Sequence, residues 1–504
     1  MTVLPTLFAG CAPEVAAGPE GRILAVGNAA RSAAGRGARV VRLRGRVWPG
    51  LIDSHVHLEG LADRHLTVDL SGVPSRDEAL ARVKAWAEKL PTDAWVTGAG
   101  WYNDAWPDRA FPTAAQLDPV VGGRPAYLRR KDGHSAWASS AALRLAGIGR
   151  ATPDPPGGAI DRDKRGEPVG ILRETAMHMV AELVPHPTEP QLDDAMAKAL
   201  SELAALGLTG VHSMDTARGF GSWQRLRARG SLPVRITYNL PLADLAHAER
   251  LGVQSGWGDE WIRIWGVKAF LDGSLGSRTA EMLDGSGTAR LPQAELVDLV
   301  ARCARAELNV CLHAIGDGAV RRALDALAPH RDAWRGWRPR IEHAQCVNPK
   351  DVKRFARIGV IASMQPIHAV ADRELVDRYW PGLAAQSYSW GALERVGARI
   401  AFGSDAPVEV ADPLAGMEAA TAWRRKTHWL PELAVSRAAA LRAYTSGAAY
   451  AVGMERDAGT LRPGKLCDMT VVDEGRVVAT VVGGRVSFLR KPPAASRRSA
   501  SKPR

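Results

Sequence analysis

The chain has 504 residues, 46% of them hydrophobic, enough for one large domain or two to three smaller ones. No apolar run reaches the roughly 18–20 residues needed to cross a bilayer, and five cysteines without a Cys-x-x-Cys pair point to a reducing, cytoplasmic compartment rather than a disulfide framework. The net charge of +12 raises nucleic-acid binding, but half of it comes from residues 490–504, a Ser/Pro/Ala-rich stretch with no acid that reads as a disordered basic tail.

The first eleven residues, ending in Cys11, resemble a lipoprotein cleavage signal at their end, but they lack a basic leading region and read as a first strand. Short strands follow at 22–27 and 40–45. A strand at 47–53 then runs into Pro-Gly-Leu-Ile-Asp-Ser-His-Val-His (49–57). On a strand, residues two apart share a face, so His55 and His57 aim both imidazoles one way. Such a pair suits a borderline-soft metal such as zinc, and it also suits plain packing at a strand end. Matching ligand types at later strand ends favour the metal.

The interval from 58 to 207 is too long for a simple connection. Ser75 and Glu78 form a capping box opening an amphipathic helix over 76–90, strands are expected at 95–101 and 125–130, and Asp-Pro-Pro-Gly-Gly marks a turn at 154–158. The segment from about 62 to 190 reads as a subdomain inserted over the mouth of the main domain. Its Trp101, Trp106 and Trp137 suit either an apolar substrate group or the subdomain's own core.

Beyond residue 190 apolar strands alternate with helices. A helix over 191–206 closes at Gly207. Strands are expected at 208–212, 234–240, 262–271, 309–313, 341–344, 360–364 and 399–403, with helices at 293–306, 318–328 and 349–357. Near-continuous apolar strands separated by helices indicate a parallel sheet covered on both faces. With 47–53 the strands number eight, which predicts an α/β fold, a closed (β/α)8 TIM-type barrel over 49–450, with an open sheet as the alternative. Strands at 464–473 and 477–488 are expected to join those of 1–48 in a small β-sandwich, with 451–489 as its C-terminal part.

Barrel chemistry sits at the C-terminal strand ends. His55 and His57 close the first strand, Lys268 lies on the fourth, and His313, His343 and Asp405 close the fifth, sixth and eighth. A lysine in an apolar strand is costly unless paired or neutral. Asp272 could pair with it. The sharper reading is that burial and nearby cations lower the amine's pKa and allow it to capture carbon dioxide as a carbamate. Cys311 and Cys346 flank His313 and His343 and read as packing residues rather than competing ligands.

These motifs, Pro-Gly-Leu-Ile-Asp-Ser-His-Val-His, Val-Lys-Ala-Phe-Leu-Asp-Gly-Ser (267–274), Leu-His-Ala-Ile-Gly-Asp (312–317), Ile-Glu-His-Ala-Gln (341–345) and Gly-Ser-Asp-Ala-Pro-Val (403–408), together resemble the amidohydrolase superfamily. They most resemble the branch that includes N-substituted formamide deformylase, amidohydrolase family 3. The resemblance extends to Leu-Arg-Pro-Gly-Lys-Leu-Cys-Asp (461–468). It implies a metal-bearing barrel, a β-sandwich from both termini, and hydrolysis of C–N bonds outside ordinary peptides. One ion, expected as zinc, would be held by His55, His57 and Asp405, a second by His313 and His343, with carbamylated Lys268 bridging them. Water held by two cations ionises near neutral pH and attacks the carbonyl, while Asp405 takes the proton and returns it to the leaving nitrogen.

His134 and His368 are weaker candidates for substrate contact, as are Asp272 and Ser274. His212, at the end of the second strand, reads as core packing. A mononuclear deaminase is the rival enzyme, but it needs a glutamate acid/base, and Glu342 alternates to the opposite side of its strand from His343. A non-catalytic nucleic-acid binder needs basic and aromatic residues clustered on one face, whereas the excess here lies in a tail. The expected partner is a small molecule, without specific nucleic acid or membrane, and a homo-oligomer is compatible with the sequence.

Overall fold

Leu51–Val56 is buried at every position and opens an eight-stranded parallel sheet. The sheet continues through Leu208–Ser213, Arg235–Pro241, Ile262–Phe270, Asn309–Ala314, Arg340–His343, Ile361–Met364 and Arg399–Phe402. This computed structural model describes residues 4–131 and 133–491; the basic stretch beyond 491 lies outside the described residues. The first and last strands meet where Asp405 N donates to the His55 carbonyl and His57 N to the Ala406 carbonyl, each at 2.8 Å, closing a TIM-type barrel. Helices such as Gln293–Arg305 and Asp317–Leu327 cover the outside, burying Leu296, Leu299, Val300 and Leu324.

The chain does not enter the barrel where the pattern 47–53 suggested. Arg39–Pro49 is one long strand of a different sheet, pairing antiparallel with Met469–Asp473. The break falls at Gly50, where a Cβ would stand 2.2 Å from the Thr209 hydroxyl. Only glycine lets the backbone pass that close.

Arg39–Pro49 also pairs parallel with Thr6–Ala12, so both termini contribute to one seven-stranded sheet. Phe8, Val15, Ile23, Val47, Met469, Val471 and Val481 share its core. Ile23 N donates to the Lys465 carbonyl at 2.7 Å, so one end of the sheet returns to the segment before Met469–Asp473. The strands expected of a small terminal β-sandwich are joined in this one hydrogen-bonded sheet. Cys11 is buried in its first strand, and all five cysteines are free.

Leu61–Ala195 forms a separate unit. It has a six-stranded sheet, and Ser75 caps the helix Arg76–Ala87 by accepting from Glu78 N at 3.2 Å. Trp101, Trp106 and Trp137 belong to this unit's own core, with ring centroids 6.1 and 6.3 Å apart around Trp101. Their burial decides against the substrate-facing alternative. No helix among the described residues is long and apolar enough to cross a membrane.

Candidate active site

The Gly-Ser-Asp run after the eighth strand shows how the sequence builds the site. A Cβ on Gly403 would lie 2.5 Å from His55 N, so glycine brings the two strand ends together. Ser404 then donates its hydroxyl to Asp53 Oδ2 at 2.6 Å and its N–H to Oδ1 at 3.0 Å, pinning the seam. Asp405 follows with φ +60, a left-handed backbone that costs energy in a non-glycine residue and clusters at functional sites. Its Oδ1 lies 3.4 Å from His55 Nε2 and 3.2 Å from His57 Nε2.

His55, His313 and His343 each commit one ring nitrogen to a fixed acceptor. His55 Nδ1 donates to Glu342 Oε2 at 2.7 Å. His313 Nε2 donates to the Gly273 carbonyl at 2.9 Å, and His343 Nδ1 to Gln365 Oε1 at 2.8 Å. The other nitrogen of each ring keeps its lone pair, the form a metal requires. Burial, then the Lys268 charge, pushes His55 down to about 4 and His313 to about 3, and burial with neighbouring His313 holds His343 well below the usual range. The His343 ring centroid lies 4.9 Å from that of His55 and 4.5 Å from that of His313.

Ligand atoms of His55, His343 and Asp405 all lie within 4.8 Å of one another. Lys268 is 3% exposed, and its Nζ stands 3.5 Å from His55 Nε2. Burial lowers its pKa, against the opposing pull of Glu342 and Asp405. Neutral imidazoles, an ionised carboxylate and a buried amine inclined to lose its proton make a donor set that fits divalent cations. All six sequence-derived ligand candidates therefore share one rim of the barrel.

The weaker candidates fare differently. His368 opens the helix His368–Tyr379 with Nε2 3.5 Å from Asp405 Oδ2. Asp272 is fully buried, and its oxygens accept from Ile315, Gly316 and Glu281 N–H groups at 2.8–3.3 Å, so it orders the loops instead of facing a substrate. Ser274 is exposed, in a hydroxyl cluster with Ser277 and Thr279. Within the 61–195 unit, His134 Nδ1 lies 3.0 Å from Glu174 Oε1. Burial raises the Cys311 thiol to about 12, consistent with packing rather than metal binding.

Sequence reasoning misplaced Glu342. Arg340 and Glu342 point into the barrel, and it is His343 that departs from strand alternation, its φ of +70 turning the ring over the mouth. It also missed Gln365 and Asp215; the latter accepts from Leu58 N at 2.6 Å and stands 4.0 Å from His57 Nδ1. Two charged residues in the short run Arg-Ile-Glu-His were the available signal.

The sequence profile described as amidohydrolase family matches residues 39–488. The chain belongs to the amidohydrolase family. It is 34% identical to Protein LONG AFTER FAR-RED 3 of Arabidopsis thaliana, covering 92% of this chain and 86% of that protein. It is 29% identical to N-substituted formamide deformylase of Arthrobacter pascens, covering 91% and 89%. Among solved structures, an uncharacterized metal-dependent hydrolase from Pyrococcus furiosus aligns with TM-score 0.77 at 28% identity, covering 93% of this chain and 99% of that one.

Proposed function

We propose that this protein is a metal-dependent hydrolase acting on a non-peptide C–N bond, of amide or formamide type. The observation that carries the reading is the shared rim where the lone pairs of three neutral imidazoles meet Asp405 and Lys268. The metal-dependent hydrolase and the deformylase among its relatives support it.

His55, His57 and Asp405 would hold one ion and His313 and His343 a second. Lys268 would bridge them after its neutral amine attacks carbon dioxide, forming a new N–C bond and releasing one proton. When bound, zinc or a similar cation supplies Lewis acidity and lowers the pKa of water. Asp405 accepts the proton of the attacking water and returns it to the leaving nitrogen. His368, beside Oδ2, orients that carboxylate and can donate toward the substrate oxygen.

Phe270 bears on the substrate. It lies on the same strand face as Lys268 and one step nearer the mouth, its ring 4.8 Å from Lys268 Nζ and 5.1 Å from the His313 ring. It is the one exposed large apolar side chain in the eight barrel strands, at 44%. An aromatic face open beside the reacting groups suits an apolar substituent on the substrate.

The deaminase alternative needs a glutamate acid/base at a strand end. Glu342 is fully buried and paired with both Arg340 and His55, which speaks against that role.

Metal analysis of the purified protein, combined with a screen of N-formyl and N-acyl amines, tests the proposal. Hydrolysis should disappear on chelation and return with added Zn2+ or Mn2+. Full activity in metal-free protein would refute it.

A further inference from the structure

A buried polar cluster lies against the ligands. Arg340 and Glu342 stand two apart on the sixth strand, and neither is exposed. A buried guanidinium and a buried carboxylate each carry a desolvation cost of several kcal/mol unless their donors and lone pairs are met. Here they are met. Arg340 Nε donates to Glu342 Oε1 at 2.8 Å and Nη2 to Oε2 at 3.0 Å, a bidentate grip. Nη2 also reaches the Ser363 hydroxyl at 2.9 Å and the Ser54 carbonyl, while Nη1 donates to His212 Nδ1 at 2.9 Å. One guanidinium thus joins the first, second, sixth and seventh strands. Glu342 Oε2 also accepts from His55 Nδ1.

We infer that Arg340 and Glu342 are positioning residues, with His212 as their outer support, that fix His55 in the tautomer and rotation presenting its Nε2 lone pair to the cation site. This rests on the metal reading above.

A purely structural account explains the pair less well. Apolar residues of similar volume would join the same strands at equal or lower energy. They would leave the imidazole free to rotate and to place its proton on either nitrogen. The carboxylate removes both freedoms, because it only accepts and meets Nδ1 alone. The arginine removes a third. With both oxygens gripped, Glu342 is kept from turning to the Lys268 amine. Arg340 also cancels the carboxylate's charge, so the ligand set keeps its own balance. His212, buried at the end of the second strand, accepts from Arg340 and stops the guanidinium from tilting.

The test is Zn2+ affinity, measured by competition with a chromophoric chelator on metal-stripped protein whose fold is checked by circular dichroism. The double variant Arg340→Met/Glu342→Leu replaces the pair by apolar volume. It should fold and bind Zn2+ about 10–100-fold more weakly than the wild type. Its nitrogen-15 histidine spectrum should lose the protected Nδ1–H signal of His55. If the double variant does not fold, Arg340→Lys keeps a cation but loses the bidentate grip, and should show the same direction of change. Wild-type Zn2+ affinity in either folded variant would overturn the inference. Failure of the wild type itself to bind Zn2+ would overturn the metal reading, and this inference with it.

Discussion

His368 Nε2 lies 3.5 Å from Oδ2 of Asp405, while the opposite oxygen, Oδ1, faces His55 and His57. The carboxylate therefore faces two tasks, with one oxygen turned to the ligand cluster and the other beside an imidazole. Although burial works the other way, the adjacent Asp405 carboxylate raises the His368 pKa, and the same approach helps hold Asp405 well below the usual carboxylate range.

This division predicts two different losses. Asp405→Asn should fold normally yet lower kcat by about 10²–10⁴-fold, the size of a lost proton-transfer group. His368→Asn should lower kcat by a smaller factor while metal content stays near wild type. Steady-state kinetics with metal analysis separate the two; an Asp405→Asn rate equal to wild type would reject the proton-transfer role.

Lys268→Ala should remove the bridge and bring metal content toward one equivalent, with most activity lost. Added short-chain carboxylates would be expected to restore part of it by occupying the vacated volume. Two equivalents of metal and full turnover in the variant would remove the carbamate from the account.

Phe270→Ala should leave metal content unchanged and raise KM mainly for substrates with a bulky apolar group. A loss of about 1–2 kcal/mol corresponds to roughly a tenfold effect or somewhat more. Comparing an aryl-substituted with a methyl-substituted formamide reads this out. Equal changes on both would place the ring outside the substrate contact.

The seam between the first and eighth strands carries a pH signature. Burial pushes the Asp53 carboxyl up to about 6, against hydrogen bonds from Ser404 and His55. In the unfolded chain an aspartate titrates near 3.9. The folded state thus holds this proton more tightly, so the contribution is complete below about pH 4 and is lost as pH rises through 6. Relative to Asp53→Asn, metal-free wild type should lose about 2 kcal/mol of unfolding free energy between pH 4 and 7. Denaturant curves for both proteins at the two pH values measure it, and a constant difference would mean that Asp53 is ionised throughout.

The barrel was legible because its strands are buried on both faces and read as apolar runs between helices with regular polar faces. The grouping of His55, His57, Lys268, His313, His343 and Asp405 was legible because ligand-type side chains recur at strand ends, and a barrel gathers those ends at one rim. The entry into the barrel was misread because Arg39–Pro49 and Leu51–Val56 are both strands, divided only by Gly50. Glu342 was misread because alternation assumes regular backbone, and His343 leaves it at φ +70. Arg340 showed in the sequence only as a charge in an apolar strand, and its role lies in four partners scattered from Ser54 to Ser363. The tryptophans were ambiguous because an aromatic cluster looks alike in a core and in a pocket.

The most direct test is anomalous diffraction at the zinc edge from crystals of the protein grown with Zn2+ and bicarbonate. The account predicts two peaks, one among His55, His57 and Asp405 and one beside His313 and His343, with added density continuing from Lys268 Nζ between them. A rim free of anomalous signal, or ions bound with Lys268 a bare amine, would contradict it.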